Sequence, residues 1–143
     1  MTSNVQPSTQ EYVQARRPTS VTIAAISMAI VGICAFINSY LILASGIFFG
    51  WLILGAIGFF TLVDGISLLS NVGWSYDGAT TLCIINIFVG FIEIIGAYNF
   101  HFVVFGLVDV GIAIGVVTLV LSGTALYLLY RQAVRSYFGI YNY

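Results

Sequence analysis

The sequence predicts an all-α polytopic membrane protein, a bundle of four transmembrane helices. Three observations predict it. Of 143 residues, 60% are hydrophobic and only 6% are charged, against roughly 25% charged in soluble globular domains. So few charged side chains cannot cover a water-facing exterior, so lipid must be the solvent for most of the surface. Four apolar stretches, at about 21–44, 47–70, 79–97 and 105–130, each approach or exceed the roughly 20 residues that a helix needs to cross a 30 Å hydrocarbon core. Finally, all four cationic residues, Arg16, Arg17, Arg131 and Arg135, flank the apolar region, and Lys is absent.

In chain order, residues 1–19 are polar, hold both prolines and show no apolar periodicity, which predicts a flexible cytoplasmic tail. Arg16-Arg17 ahead of an apolar run resembles a secretory or twin-arginine signal. The run from Val21 is, however, longer than the ~7–15 residue core of such a signal, so it is read as the first span. Ser45-Gly46 is the turn to the second span. Residues 71–78, with Asn71, Gly73, Asp77 and Gly78, are expected to form the one real loop, with Trp74 and Tyr76 anchoring in the headgroup region. Tyr98 to His101 turns the chain into the fourth span, whose start around Phe100 to Phe105 is expected in the interface. The transmembrane domain therefore covers 20–139, and 140–143 form an aromatic tail. An even number of spans puts both arginine pairs on one side, and the positive-inside rule makes that side cytoplasmic. Residues 71–78 are then inside and 98–101 outside.

Helices in lipid associate through small residues that let backbones approach and through interhelical hydrogen bonds. Every span carries such a stripe. The fourth has Gly111, Gly115, Thr118, Ser122 and Ala125, and the third has Cys83, Asn86, Gly90, Glu93 and Ala97. Thr22, Ala25, Ala29, Gly32 and Ser39 mark the first, and Gly58, Thr61 and Gly65 the second, beside Gly46-x-x-x-Gly50.

Asp64, Glu93 and Asp109 are the ionisable groups inside the spans. A carboxylate near the bilayer centre costs roughly 3 kcal/mol on insertion scales, so such groups usually face a bundle interior or a wet cavity. A turn near His101 places Glu93 and Asp109 at similar depth, with no Lys or Arg in the hairpin to neutralise them. His101 between them is a candidate proton relay or weak metal ligand. Asp64, flanked by Thr61 and Ser67 on one face, is expected to bond within its helix and pack against Asn86; Asn38 and Asn86 are expected to tie helices together. Glu93, Asp109, His101 and Asp64 thus form the candidate proton or ion site.

The composition also bounds the function. Four Arg divided between two ends make no phosphate-tracking surface, so no nucleic acid is expected as a partner. Cys34 and Cys83 fall at different depths, are not expected to bridge, and with one His make no zinc pattern. No nucleophile–base pair, nucleotide loop or haem-ligand pair is present. Neither a cofactor nor catalysis is expected.

Arg17-Pro18-Thr19-Ser20-Val21-Thr22-Ile23 and Tyr127-Leu128-Leu129-Tyr130-Arg131-Gln132-Ala133-Val134-Arg135-Ser136-Tyr137-Phe138-Gly139 resemble the two ends of a broad group of small, functionally uncharacterised prokaryotic four-span membrane proteins. That group opens on Arg-Pro-x-Gly-Val-Thr-Ile and closes on Tyr-Leu-x-Arg-Pro-x-Val-Arg-x-Tyr-Phe-Gly. Ser20 stands here for the Gly and Gln132 for the Pro. The resemblance implies the four-span fold and carries no activity. Arg131 and Arg135 are expected on one face of a helix continuing out of the membrane, with Val134, Tyr137 and Phe138 against the interface. The expected function is that of a non-enzymatic cell-membrane protein with the bilayer and further membrane subunits, or copies of itself, as partners. A small proton or ion conductor is the alternative.

Overall fold

The computed structural model describes residues 17–44, 48–70, 72–99 and 107–140, with the side chains of 44, 48, 97–99 and 107–109 outside that description. The elements are α1 (Thr19–Ala44), α2 (Phe48–Leu69), α3 (Gly73–Asn99), α4 (Leu107–Leu129) and α5 (Gln132–Tyr137). The first four are long and apolar enough to cross a membrane, with mean hydropathy of 2.0 to 2.4 over their best stretches. The shortest of them, α2, has 22 residues, about 33 Å at 1.5 Å per residue.

Each long helix packs against the next in sequence, and α4 closes the ring against α1, so that α1 and α3 face each other across a diagonal. The packing inverts that of a soluble bundle. Ala24, Ala25 and Ala35 are buried on α1, while Ile23, Ile26, Ile30, Ile33 and Ile37 point outward. In lipid the large aliphatic side chains lose nothing by facing out, and the small ones let backbones meet.

The small stripes are these contacts. A Cβ on Gly32 would lie 2.9 Å from the Gly58 carbonyl oxygen and against Leu62; one on Gly90 would lie 2.9 Å from the Gly115 carbonyl oxygen and against Leu119. The two crossings match residue for residue. Ile57-Gly58-x-x-Thr61-Leu62-Val63 recurs as Ile114-Gly115-x-x-Thr118-Leu119-Val120, and Val31-Gly32 recurs as Val89-Gly90. The α1–α2 and α3–α4 hairpins thus cross in the same way, glycine against glycine carbonyl.

Several expectations are corrected. The third helix begins at Gly73, so most of the expected 71–78 loop is helix. Composition suggested a turn, but Gly78 is needed for a close approach: a Cβ there would collide with the Asp64 carboxylate. Tyr76 is buried, its hydroxyl donating to the Leu129 carbonyl at 3.2 Å and its ring against Phe138. It locks α3 to α4 rather than anchoring in headgroups; Trp74 is exposed. Arg17 donates to the Leu69 carbonyl at 3.1 Å, a cation placed on the unsatisfied end of α2. Arg16 lies outside the described residues.

The chain also does not continue straight out of α4. Arg131 is extended (φ −65°, ψ 138°) and starts α5, which folds back so that Val134 is fully buried and Phe138 packs on the core. These side chains therefore close the bundle end rather than lie in the interface. Gly139 (φ 71°) ends the turn. Its N–H donates to Ser136 O and that of Ile140 to Arg135 O, the two bonds of a Schellman cap in a conformation that favours glycine.

Gln132 is the first residue of α5 and is exposed. Proline suits that position, where the N–H has no helical partner and the preceding residue is already extended. Gln132→Pro is expected to stabilise by about 0.4–1 kcal/mol. Thermal unfolding in detergent checks it; a lowered midpoint would show that the Gln132 N–H is engaged.

Candidate functional site

The bundle interior is divided. Toward the end that carries the termini, Val21, Ala24, Ala25, Met28, Leu68, Tyr76, Ala79, Cys83, Ala125, Leu128, Leu129 and Val134 form one contiguous apolar core. From mid-helix toward the hairpin end, the buried residues include Asn38, Ser39, Thr61, Asn86 and Thr118, while Ser27, Asp64 and Ser75 are the buried polar residues nearer the termini.

Glu93 lies in this polar half. On α3 it follows Gly90, where only a glycine lets α4 approach, and its Cβ lies against Gly115. Asn38 of α1 donates through Nδ2 to Glu93 Oε1. Because α1 and α3 face each other across the diagonal, that bond crosses the middle of the bundle. Glu93 Oε2 is buried and unbonded. Two turns nearer the termini, Asn86 donates through Nδ2 to Thr61 Oγ1 at 2.8 Å, and the Thr61 hydroxyl donates to Ile57 O at 2.8 Å. Ser39 adds a tie within the first hairpin, donating to Trp51 O at 2.8 Å.

The expected site is only partly assembled. Glu93 faces Asn38, a partner the spacing of the sequence did not indicate. His101 lies outside the described residues, as does the side chain of Asp109, whose backbone is in α4. Asp64 is separated from Glu93 and sits at the terminal end against Gly78. Its expected neighbours are otherwise engaged: Asn86 bonds Thr61, and Thr61 and Ser67 bond the carbonyls of Ile57 and Val63 in their own helix. The hydroxyls of Thr61 and Ser67 therefore do not donate to Asp64, and the expected intrahelical network is not formed. On α4, Thr118, Ser122 and Ala125 are buried and Gly111 is half-buried. Ala25 and Gly32 are buried on α1 and Ala29 half-buried.

Among the described residues no group of three or more His, Cys, Asp or Glu side chains converges. Cys34 and Cys83 are both free. The arrangement offers a desolvated carboxyl group held by one amide, and mid-bundle hydroxyls and an amide, without a nucleophile–base pair among them. The repeated Ile-Gly-x-x-Thr-Leu-Val would have revealed the helix register within the two hairpins. Compared with family models, curated proteins and solved structures, the chain has no match.

Proposed function

We propose that this protein is a non-enzymatic, non-conducting integral membrane protein, a structural or accessory subunit that packs with copies of itself or within a larger membrane complex. The observation that carries this reading is the closed terminal end. Val21, Leu68, Leu129 and Val134 are fully buried there, with Tyr76 beside them, so large apolar side chains close that end among the described residues, although Asp64 and Ser75 are also buried there. Two pairs of interior polar groups serve as ties between helices, Asn38 to Glu93 and Asn86 to Thr61. The resemblance of the chain ends to small prokaryotic four-span proteins supports the same setting, the cell membrane.

The purified protein in proteoliposomes is expected to pass neither protons nor monovalent cations, and Glu93→Gln is expected to change nothing. The conductor reading keeps one observation in its favour, the unbonded Glu93 Oε2. Flux through the wild type that Glu93→Gln abolishes would establish that reading and defeat the accessory one.

The same reading has both termini in the cytoplasm, supported by the positive-inside rule applied to Arg17, Arg131 and Arg135 at one end of the bundle. With Cys34 and Cys83 replaced, a cysteine introduced for Ser136 is expected to react with an impermeant maleimide only from the cytoplasmic side. Reaction only from outside would reverse the topology.

A further inference from the structure

The three described arginines all stand at the terminal end of the bundle, at the level where the spans stop. Arg17 donates to the Leu69 carbonyl at 3.1 Å, and Leu69 is the last residue of the second span. The Arg131 N–H donates to the Leu128 carbonyl at 3.2 Å, next to the end of the fourth span at Leu129. Arg135 follows Val134, which is fully buried in the same core as Val21, Leu68 and Leu129. The end of the spans is where hydrocarbon gives way to headgroups.

The backward fold of α5 is what brings Arg135 to that level. On a straight continuation of α4 it would stand about 9 Å beyond Leu129 at 1.5 Å per residue, more than the roughly 8 Å over which physiological salt screens a charge. The turn at the extended Arg131, the burial of Val134 and the ring contact of Phe138 with Tyr76 instead hold α5 against the bundle end. Trp74 and Tyr130, 57% and 56% exposed at the same end, are residue types that settle among headgroups.

The charge at this end is one-sided. Arg17 and Arg131 are exposed and Arg135 is half-buried. Against them, among the described residues, stands one exposed acid, Asp77; Asp64 is buried against Gly78. Each cation held near an anionic leaflet strengthens the association by roughly fivefold. The hairpin end of the bundle has no Lys or Arg to do the same.

We infer that the terminal end is a docking face for anionic phospholipids of the surrounding leaflet, with Arg17, Arg131 and Arg135 meeting headgroup phosphates and Trp74 and Tyr130 at the same depth. Phosphatidylglycerol, whose headgroup carries net negative charge, fits this face. A zwitterionic headgroup fits less well, because its ammonium group meets the same arginines. The inference rests on the membrane-spanning fold and not on the accessory role.

The full-length protein reconstituted in phosphatidylcholine vesicles provides the test. Electron paramagnetic resonance of trace spin-labelled lipid reads the fraction held at the protein surface, and comparing phosphatidylglycerol with phosphatidylcholine gives the preference. The wild type is expected to prefer phosphatidylglycerol several-fold at low salt, and about 1 M salt is expected to erase most of that preference. Arg131→Gln is expected to lower it by up to about fivefold, and Arg131→Lys to retain it. The Arg131 side chain does not cap α5, so these substitutions change charge without removing a helix contact. Equal association of the two lipids with the wild type would leave the face to an acidic protein partner and overturn the inference. A preference that either salt or Arg131→Gln leaves intact would overturn it as well. Loss of the preference in inorganic phosphate, but not in chloride of equal ionic strength, would assign the face to free phosphate and overturn it equally.

Discussion

Gly115→Leu is expected to destabilise the bundle by about 3 kcal/mol, the upper end of the range for overpacking. A Cβ at this position would stand 2.8 Å from Ile94 Cγ1, 3.0 Å from the Gly90 carbonyl oxygen and 3.2 Å from Glu93 Cβ. The carbonyl cannot move without separating α3 from α4, and that separation would also carry Glu93 away from Asn38. Gly123 is the internal control. It lies in the same helix with nothing within 4 Å of its would-be Cβ, so Gly123→Leu should be neutral or gain up to about 0.8 kcal/mol from helix propensity. Val117→Leu, at an outward-facing position, should be similarly mild. Thermal unfolding of the variants in one detergent compares them. Equal midpoints for Gly115→Leu and Gly123→Leu would remove the argument that α3 and α4 meet through their glycines.

How much of this was legible beforehand follows from the reach of each physical signal. The four spans were legible because lipid imposes a length and an apolar composition that few other structures share. The stripes were legible because small residues spaced three and four apart fall on one helix face. Helix boundaries near polar residues were not. Gly73, Asp77 and Gly78 carry turn propensity, yet the chain there is helical, because packing decided: Gly78 makes room for Asp64, and Tyr76 reaches Leu129. In the same way Val134 and Phe138 read as interfacial residues, but the extended Arg131 turns them under the bundle. The partner of Glu93 was the least legible of all. Asn38 is 55 residues away, on a helix that touches α3 only across the diagonal, and finding it requires the register of the whole ring. The duplicated Ile-Gly-x-x-Thr-Leu-Val supplies that register, since it aligns α2 with α4 and, through the paired glycines, α1 with α3.

The Asn38–Glu93 bond should behave as a coupled pair. Asn38→Leu removes the donor to Glu93 Oε1 while Oε2 is already unbonded, leaving the whole carboxyl group without a partner at depth. A hydrogen bond is worth about 0.5–1.5 kcal/mol net, and leaving a buried polar group unsatisfied costs about 1–3 kcal/mol. Asn38→Leu is therefore expected to cost about 3 kcal/mol. Replacing both partners with apolar residues can be nearly neutral, so Asn38→Leu combined with Glu93→Leu should recover most of that loss. The measurement is a double-mutant cycle on thermal or denaturant unfolding in detergent, in which sites in contact show a coupling of about 0.5–3 kcal/mol. Additive effects would mean that the bond contributes nothing to holding α1 and α3 together. The cycle also bears on the function. A subunit that uses Glu93 only as a tie should keep its oligomeric state and its place in any native complex in the doubly apolar variant. If the double variant is as stable as the wild type yet no longer assembles, the carboxyl group is recognised by a partner, and Glu93 is a binding residue rather than a tie.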